Sequence, residues 1–264
     1  MSSRVNDVIE VEHVTHRFGK VAAVSDCSWA LQRGSITALI GPNGAGKTTL
    51  ANLLAGSLTV QEGRVRCEGA DITGWPPDRI ARQGIIRTFQ ISRDFKRLTL
   101  FENMLVAVRD QPGESLIGAF FRRAATRAAE TKNVARAAKV LEQFGLYELR
   151  NERASDISGG QKRLLELARA AMAAPKVLLL DEPMAGINPV LITRICMHLK
   201  QMQEEGVTLL LIEHNLSVVE EICESVTVMV EGRVLTTGSM AELRRHPDVI
   251  DAYLGREVSG LAAS

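Results

Sequence analysis

The residues with the strongest chemical character lie together in Gly41-Pro42-Asn43-Gly44-Ala45-Gly46-Lys47-Thr48-Thr49. Glycines let successive backbone N–H groups turn inward onto an anion, because a Cβ there would block its approach. A helix expected over Leu50-Ala51-Asn52-Leu53-Leu54-Ala55 adds unpaired N–H donors and a partial positive charge at its start. With the apolar run Ile36–Ile40 before it, Gly-x4-Gly-Lys-Thr has the strand-to-helix setting of a phosphate-binding loop. Lys47 is placed to reach the β- and γ-phosphates of a nucleotide, and Thr48 to offer a hydroxyl to Mg²⁺. A Gly-rich turn that merely precedes a lysine would match by chance about 0.01 times in a chain this long, so the bland alternative is set aside.

Two further groups could act on that nucleotide. Asp181 and Glu182 follow Val177-Leu178-Leu179-Leu180, and carboxylates at the carboxyl end of a buried parallel strand stand where open α/β sheets bind ligands. Asp181 fits the metal side of such a site, and Glu182 can act as general base toward an attacking water. Ile157-Ser158-Gly159-Gly160-Gln161 precedes a helix with apolar positions Leu164, Leu167, Ala168 and Ala171 at i, i+3, i+4 and i+7. Serine and two glycines at a helix start make a second anion-binding design; taken alone, a plain N-cap explains them better.

The elements that must position these groups follow from the pattern around them. Val8 to Phe18 and Ala23 to Leu31 are expected as strands with a turn at Phe18-Gly19-Lys20, and Glu62 to Gly69 as a further short strand. Trp75-Pro76-Pro77 introduces a short helix, and Ile85 to Phe89 is a strand ending at Gln90. From Leu98 to about Leu149 the pattern is helical, with helices at Glu102–Val108 and Phe121–Phe144 separated by Gln111-Pro112-Gly113. A block without strands inside an α/β pattern reads as an inserted subdomain, with Arg122, Arg123 and Arg127 on a solvated helix face. Val177–Leu180 and Thr208–Ile212 are continuous apolar runs suited to strands buried on both faces. Ser225–Val230 and Arg233–Thr237 are expected as further strands joined at Glu231-Gly232, and a tail of two short helices starts near Ser239.

Composition excludes several classes. The chain has 264 residues, 45% of them apolar and 24% charged, which suits one α/β domain with elaborations. Lys+Arg of 32 against Asp+Glu of 31 gives no basic field for nucleic acid. No apolar run approaches the roughly 18 residues of a membrane span, and Met1 to Asp7 lacks the core of a signal peptide. Cys27, Cys67, Cys196 and Cys223 are scattered without a Cys-x2-Cys pair, which argues against zinc and points to a reducing compartment.

The phosphate loop, Gln90, Ile157-Ser158-Gly159-Gly160-Gln161, Leu180-Asp181-Glu182-Pro183 and His214, in that order, resemble the ATP-binding subunits of ABC transporters across almost the whole chain. The resemblance implies an α/β fold with a phosphate-loop (RecA-like) core, an N-terminal antiparallel β-subdomain and an inserted α-helical subdomain. Its domains would be the core over 1–91 and 157–245, helices over 92–156 and a tail over 246–264. It implies ATP and Mg²⁺ as cofactors. Phe18 would stack on adenine, where Tyr is commoner; Asn43, Gly44, Ala45, Gly46, Lys47, Thr48 and Thr49 would hold the phosphates. Gln90 would touch Mg²⁺ and the attacking water, beside Thr48 and Asp181, and sense the membrane partner. Glu182 and His214 would complete the catalytic set. Ser158, Gly159, Gly160 and Gln161 would meet the γ-phosphate bound to the opposite subunit. The pattern departs at Ile157, where Leu is usual, and at Asn188, where Asp is usual.

Arg87-Thr88-Phe89-Gln90, the segment near Phe120-Phe121-Arg122-Arg123, Ala185-Gly186-Ile187-Asn188-Pro189, Ile212-Glu213-His214-Asn215 and the tail Pro247 to Gly255 are similar to the cassette of branched-chain amino-acid uptake systems. Urea and amide importers share much of this. The implied partners are integral-membrane permease subunits, a second cassette (identical or a sister) and, indirectly, a solute-binding protein, with the chain on the cytoplasmic face of the plasma membrane. A soluble ABC ATPase of repair or translation is the rival of another class. The chain lacks the long coiled coil or second cassette usual in those proteins. A non-hydrolysing scaffold is opposed by the presence of Glu182 and His214.

Overall fold

A computed structural model of the chain describes residues 6–88, 95–108 and 123–252, the side chains of 123–128 excepted. The chain forms two compact units, 1–87 with 176–264, and 88–175.

The first unit holds two sheets. β1 (Asp7–Phe18) and β2 (Val21–Gln32) pair antiparallel, and β4 (Glu62–Cys67) and β5 (Ala70–Asp71) extend them into a sheet of order β2-β1-β4-β5. The strand expected to reach Gly69 ends at Cys67. Glu68 and Gly69 both take positive φ there, 51° and 78°, and turn the chain into β5. The second sheet has order β10-β9-β3-β8-β7-β6, built from β3 (Ile36–Ile40), β6 (Ile85–Thr88), β7 (Val177–Asp181), β8 (Thr208–Ile212), β9 (Ser225–Val230) and β10 (Arg233–Gly238). β3, β8, β7 and β9 run parallel where paired, while β9 and β10 form an antiparallel hairpin. Its turn, Glu231 (φ 49°) and Gly232 (φ 79°), carries two positive φ values, the pair that matches strand twist.

Continuous apolar runs sit where both faces of a strand are covered. All of β3 and β8 is buried, and the pleat sends alternate side chains to two cores. Leu39, Leu210, Ile212 and Met229 join Ile9, Leu31, Leu50 and Leu54 on one face. Ala38, Ile40, Val226 and Val228 join Val219, Leu243 and Val249 on the other. Trp29 fastens the two sheets: its indole Nε1 donates to Thr227 Oγ1 at 2.9 Å, a buried bond. The helices of this unit are α1 (Lys47–Leu54) and α2 (Pro77–Gln83), then, beyond the helical unit, α6 (Pro189–Glu204), α7 (Leu216–Ile222) and α8 (Met240–Leu243).

The second unit is helical: α3 (Leu100–Val106), α4 (Arg123–Gln143) and α5 (Gly159–Met172), with a 3-10 turn at Tyr147–Leu149. α3 starts two residues before the expected Glu102. Thr99 Oγ1 accepts the Glu102 N–H at 3.1 Å while the Glu102 carboxylate accepts the Thr99 N–H at 2.8 Å. That reciprocal cap fixes the boundary. The unit runs to Pro175, so Ile157 to Pro175 group with the helices and not with the core given to them from sequence.

Candidate active site

Three neighbouring parallel strands, in the order β3-β8-β7, end at one edge of the sheet. The chain therefore delivers the loops after Ile40, Ile212 and Asp181 to the same place, the crevice at the carboxyl ends of the strands. A cavity of about 330 Å³ opens there, lined by Phe18, Ala23, Asn43 to Thr49, Glu182 and His214. Its volume is of the size that small-molecule sites occupy.

The glycines of the loop answer to packing inside the chain. A Cβ on Gly41 (φ 147°) would lie 2.1 Å from the Met229 carbonyl oxygen. One on Gly46 (φ 99°) would lie 2.2 Å from the Ala23 carbonyl oxygen. The steric reason given from sequence, an approaching phosphate, is thus preceded by a nearer one: backbone from β2 and β9 already fills those positions. Gly46 is also the N-cap of α1, and no side chain caps that helix. Its first-turn donors face the cavity with no side-chain acceptor of their own.

Lys47 is 6% exposed, and its Nζ donates to the carbonyls of Gly41 at 2.7 Å and Pro42 at 3.0 Å. Burial lowers its pKa, opposed by the nearby carboxylates of Glu182 and Asp181. Two of its three donors are taken by the loop it closes, so the ammonium is already aimed before a phosphate arrives. Thr48 is exposed on the cavity wall.

Glu182 stands just past β7 with φ 49°, a left-handed conformation uncommon for a residue with a Cβ. Its N–H donates to the Ile212 carbonyl at 2.9 Å, and its carbonyl accepts the Ala185 N–H at 3.1 Å. Its carboxylate lies 3.1 Å from His214 Nε2, both side chains being about half exposed. Phe18 is 53% exposed, with its ring edge-to-face on His16 at 4.8 Å. A flat face on the rim beside donors and a paired carboxylate and imidazole is what an aromatic base, a phosphate chain and a water would each require.

Asp181 is placed differently. It does not line the cavity; its Oδ2 accepts from Arg87 at 2.8 Å, and both side chains are nearly buried. Arg87 also donates to Asn52 Oδ1 on α1. Arg87 thus ties the phosphate-loop helix to the end of β7, a role not read from sequence, where it figured only in Arg87-Thr88-Phe89-Gln90. Residue separation hides it; a buried carboxylate after an apolar strand is the signal that a cation must be near. Asn188 takes a clear local part: its Oδ1 accepts the Leu191 N–H at 2.9 Å and caps α6.

In the helical unit, Ser158 caps α5 by a closed exchange. Its Oγ accepts the Gln161 N–H at 3.3 Å, and Gln161 Oε1 accepts the Ser158 N–H at 2.8 Å. A Cβ on Gly159 would meet nothing within 4 Å. Gln90, Phe89, the Gln111-Pro112-Gly113 and Phe120 to Arg122 segments, and Tyr253 to Gly255 lie outside the described residues. The four cysteines are free, and burial pushes the thiols of Cys27, Cys67 and Cys196 up to about 11 and that of Cys223 to about 12, which leaves them inert as nucleophiles.

A parallel sheet with a glycine loop, a buried lysine and a paired carboxylate at one edge defines a phosphate-loop nucleotide-binding ATPase. Residues 24–185 match the ABC transporter family, and residues 233–259 match the branched-chain amino acid ATP-binding cassette transporter family. The high-affinity branched-chain amino acid transport ATP-binding protein BraF of Pseudomonas aeruginosa is 39% identical over 249 residues, 94% of this chain and 98% of its own. The probable branched-chain amino acid transport ATP-binding protein LivG of Archaeoglobus fulgidus is 37% identical over 252 residues, 96% and 97% of the two chains. The crystal structure of a nucleotide-free ATP-binding cassette from an ABC transporter matches with a TM-score of 0.80 at 34% identity, over 94% of this chain and 98% of that one. That of an ABC transporter cassette in its ADP conformation gives 0.79 at 34% identity, over 94% and 99%. The chain belongs to the ATP-binding cassette family of ABC transporters and is an ATPase.

Proposed function

We propose that this chain is the ATP-hydrolysing subunit of an importer for branched-chain amino acids. The observation that carries the ATPase half is the Glu182–His214 pair, 3.1 Å apart on the wall that also holds the phosphate loop. Phe18 takes the adenine face, Asn43 to Thr49 the phosphates, and Lys47 the β- and γ-oxygens. Glu182 accepts a proton from the attacking water, while His214 orients that carboxylate and meets the γ-phosphate. Thr48, Asp181 and Gln90 are the residues that would hold Mg²⁺. Thr48, exposed on the cavity wall, fits that role; Asp181 stands off the wall with Oδ2 on Arg87, which leaves Oδ1 as the oxygen it would offer. Mg²⁺ would supply charge neutralisation at the phosphates.

Ser158, Gly159, Gly160 and Gln161 serve the ATP of a second cassette, identical or sister, so that two chains close head to tail on two nucleotides. The helical unit, with the 92–156 segment at its centre, receives the permease, whose solute comes from a binding protein. A block tied at Gln90 and at Ser158 to γ-phosphate contacts can turn hydrolysis into movement. This reading puts the chain at the cytoplasmic face of the plasma membrane, held there by docking; no helix among the described residues is long and apolar enough to cross a membrane. Charge reversals on the exposed face of the helical unit should uncouple transport and spare basal ATPase. Crosslinks from the permease to the tail alone would contradict that placement.

The solute rests on the match over residues 233–259 and on what the relatives named above are said to transport. Reconstitution with permease and binding protein tests it. Leucine-loaded binding protein should stimulate ATP hydrolysis; stimulation by a urea-loaded one and none by leucine would overturn the substrate and leave the transporter reading in place.

A further inference from the structure

Glu213, between the end of β8 and His214, is 4% exposed, and among the described residues it makes no ion pair. A buried carboxylate without a cation is strongly unfavourable unless its oxygens accept hydrogen bonds. Here the donors are backbone. Oε1 accepts the Met184 N–H at 2.9 Å; Oε2 accepts the N–H groups of His214 at 3.2 Å and Asn215 at 3.4 Å.

The two oxygens therefore join two loops. Met184 stands two residues after Glu182 in the loop that leaves β7, and His214 belongs to the loop that leaves β8. The Glu182 and His214 side chains meet across the same two loops, but both are half exposed, so packing alone does not fix their separation. Glu182 is moreover held at φ 49°, a conformation that persists only where its surroundings over-determine it. Backbone bonds to Ile212, Ala185 and, through Met184, to Glu213 supply that determination. All three of these bonds are donated to the Glu213 side chain, which accepts on both oxygens.

We propose that Glu213 is a positioning residue of the ATPase site: its carboxylate clamps the two loops and so sets the Glu182–His214 distance, without touching nucleotide. The inference rests on the roles given above to Glu182 and His214. Glu213→Gln keeps the volume but turns an NH₂ group toward one set of N–H donors, so one loop is released. Misplacing a reacting group by about 1 Å costs on the order of 10²-fold. Glu213→Gln should therefore lower kcat by about 10–100-fold, leave KM and ATP affinity as they are, and speed amide hydrogen exchange at Met184 or His214. In a Glu182→Gln background it should remove little further activity. Glu213→Asp keeps the charge with a shorter reach; it should release Met184 and show the same split between kcat and KM if Gln proves too disruptive to fold. Wild-type kcat in a folded variant, or unchanged exchange at both amides, would overturn the clamp. A Glu182→Gln variant with wild-type turnover would instead overturn the role of Glu182, and the exchange measurement would still decide the clamp.

Discussion

At the start of α1 the N-cap is Gly46, with φ 99° and no side chain closing the helix; at the start of α5 it is Ser158, locked with Gln161 in a reciprocal cap. Both are glycine-bearing helix starts, yet only the second has a side chain that takes one of its donors. The first leaves its N–H groups facing a cavity that also holds a buried lysine, so an anion can enter without breaking anything. The second spends the Gln161 N–H on Ser158 Oγ, and a Cβ on its first glycine would meet nothing within 4 Å. The difference separates a helix start without a side-chain cap, beside a buried lysine, from one closed by its own reciprocal cap.

The largest effect expected on the α1 side is chemical. Glu182→Gln keeps shape and loses the base, so phosphate release should fall by about 10²–10⁴-fold while ATP binding persists. A near wild-type rate would remove Glu182 from the account. Next comes Arg87→Ala, which leaves Asp181 nearly buried without its cation. A loss of about 3–5 kcal/mol in urea unfolding is expected, and a smaller one in the double variant Arg87→Ala/Asp181→Asn. Additive losses would mean that the pair is not a unit.

Glycine substitutions sharpen the contrast directly. Gly46→Ala meets the Ala23 carbonyl at 2.2 Å in a left-handed conformation, and strain alone should cost about 1–3 kcal/mol. Gly159→Ala has open space and should stay within about 0.5 kcal/mol. Equal losses would erase the distinction between the two helix starts. Between the two glycine variants lies Ser158→Ala, which removes a cap and should lower the stability of the helical unit by about 1 kcal/mol, read by urea titration.

Much of this comparison was legible from sequence because it is local. Strand, glycine loop and helix follow one another within about twenty residues, and the Thr99 cap could have been read from Glu102 three residues on. What escaped depends on residues far apart in the chain. The carbonyls that forbid a side chain at Gly41 and Gly46 come from Met229 and Ala23, and the cation at Asp181 comes from Arg87. Glu213 was visible only as a member of Ile212-Glu213-His214-Asn215; that its carboxylate reaches the loop of Glu182 follows from β7 and β8 being neighbours in the sheet. The grouping of α5 with α3 and α4 likewise rests on packing that no local pattern records.

The central claim is that the two helix starts serve one nucleotide from two different chains. Titrating labelled ATP onto the isolated chain, as wild type, Lys47→Ala and Ser158→Ala, tests it most directly. Lys47→Ala should lose about 10–100-fold in affinity, the worth of a charge-assisted phosphate contact. Ser158→Ala should bind ATP as the wild type does and fail only when two cassettes must close. Equal loss of affinity in the two variants would contradict the claim, because Ser158 would then contact the nucleotide of its own chain.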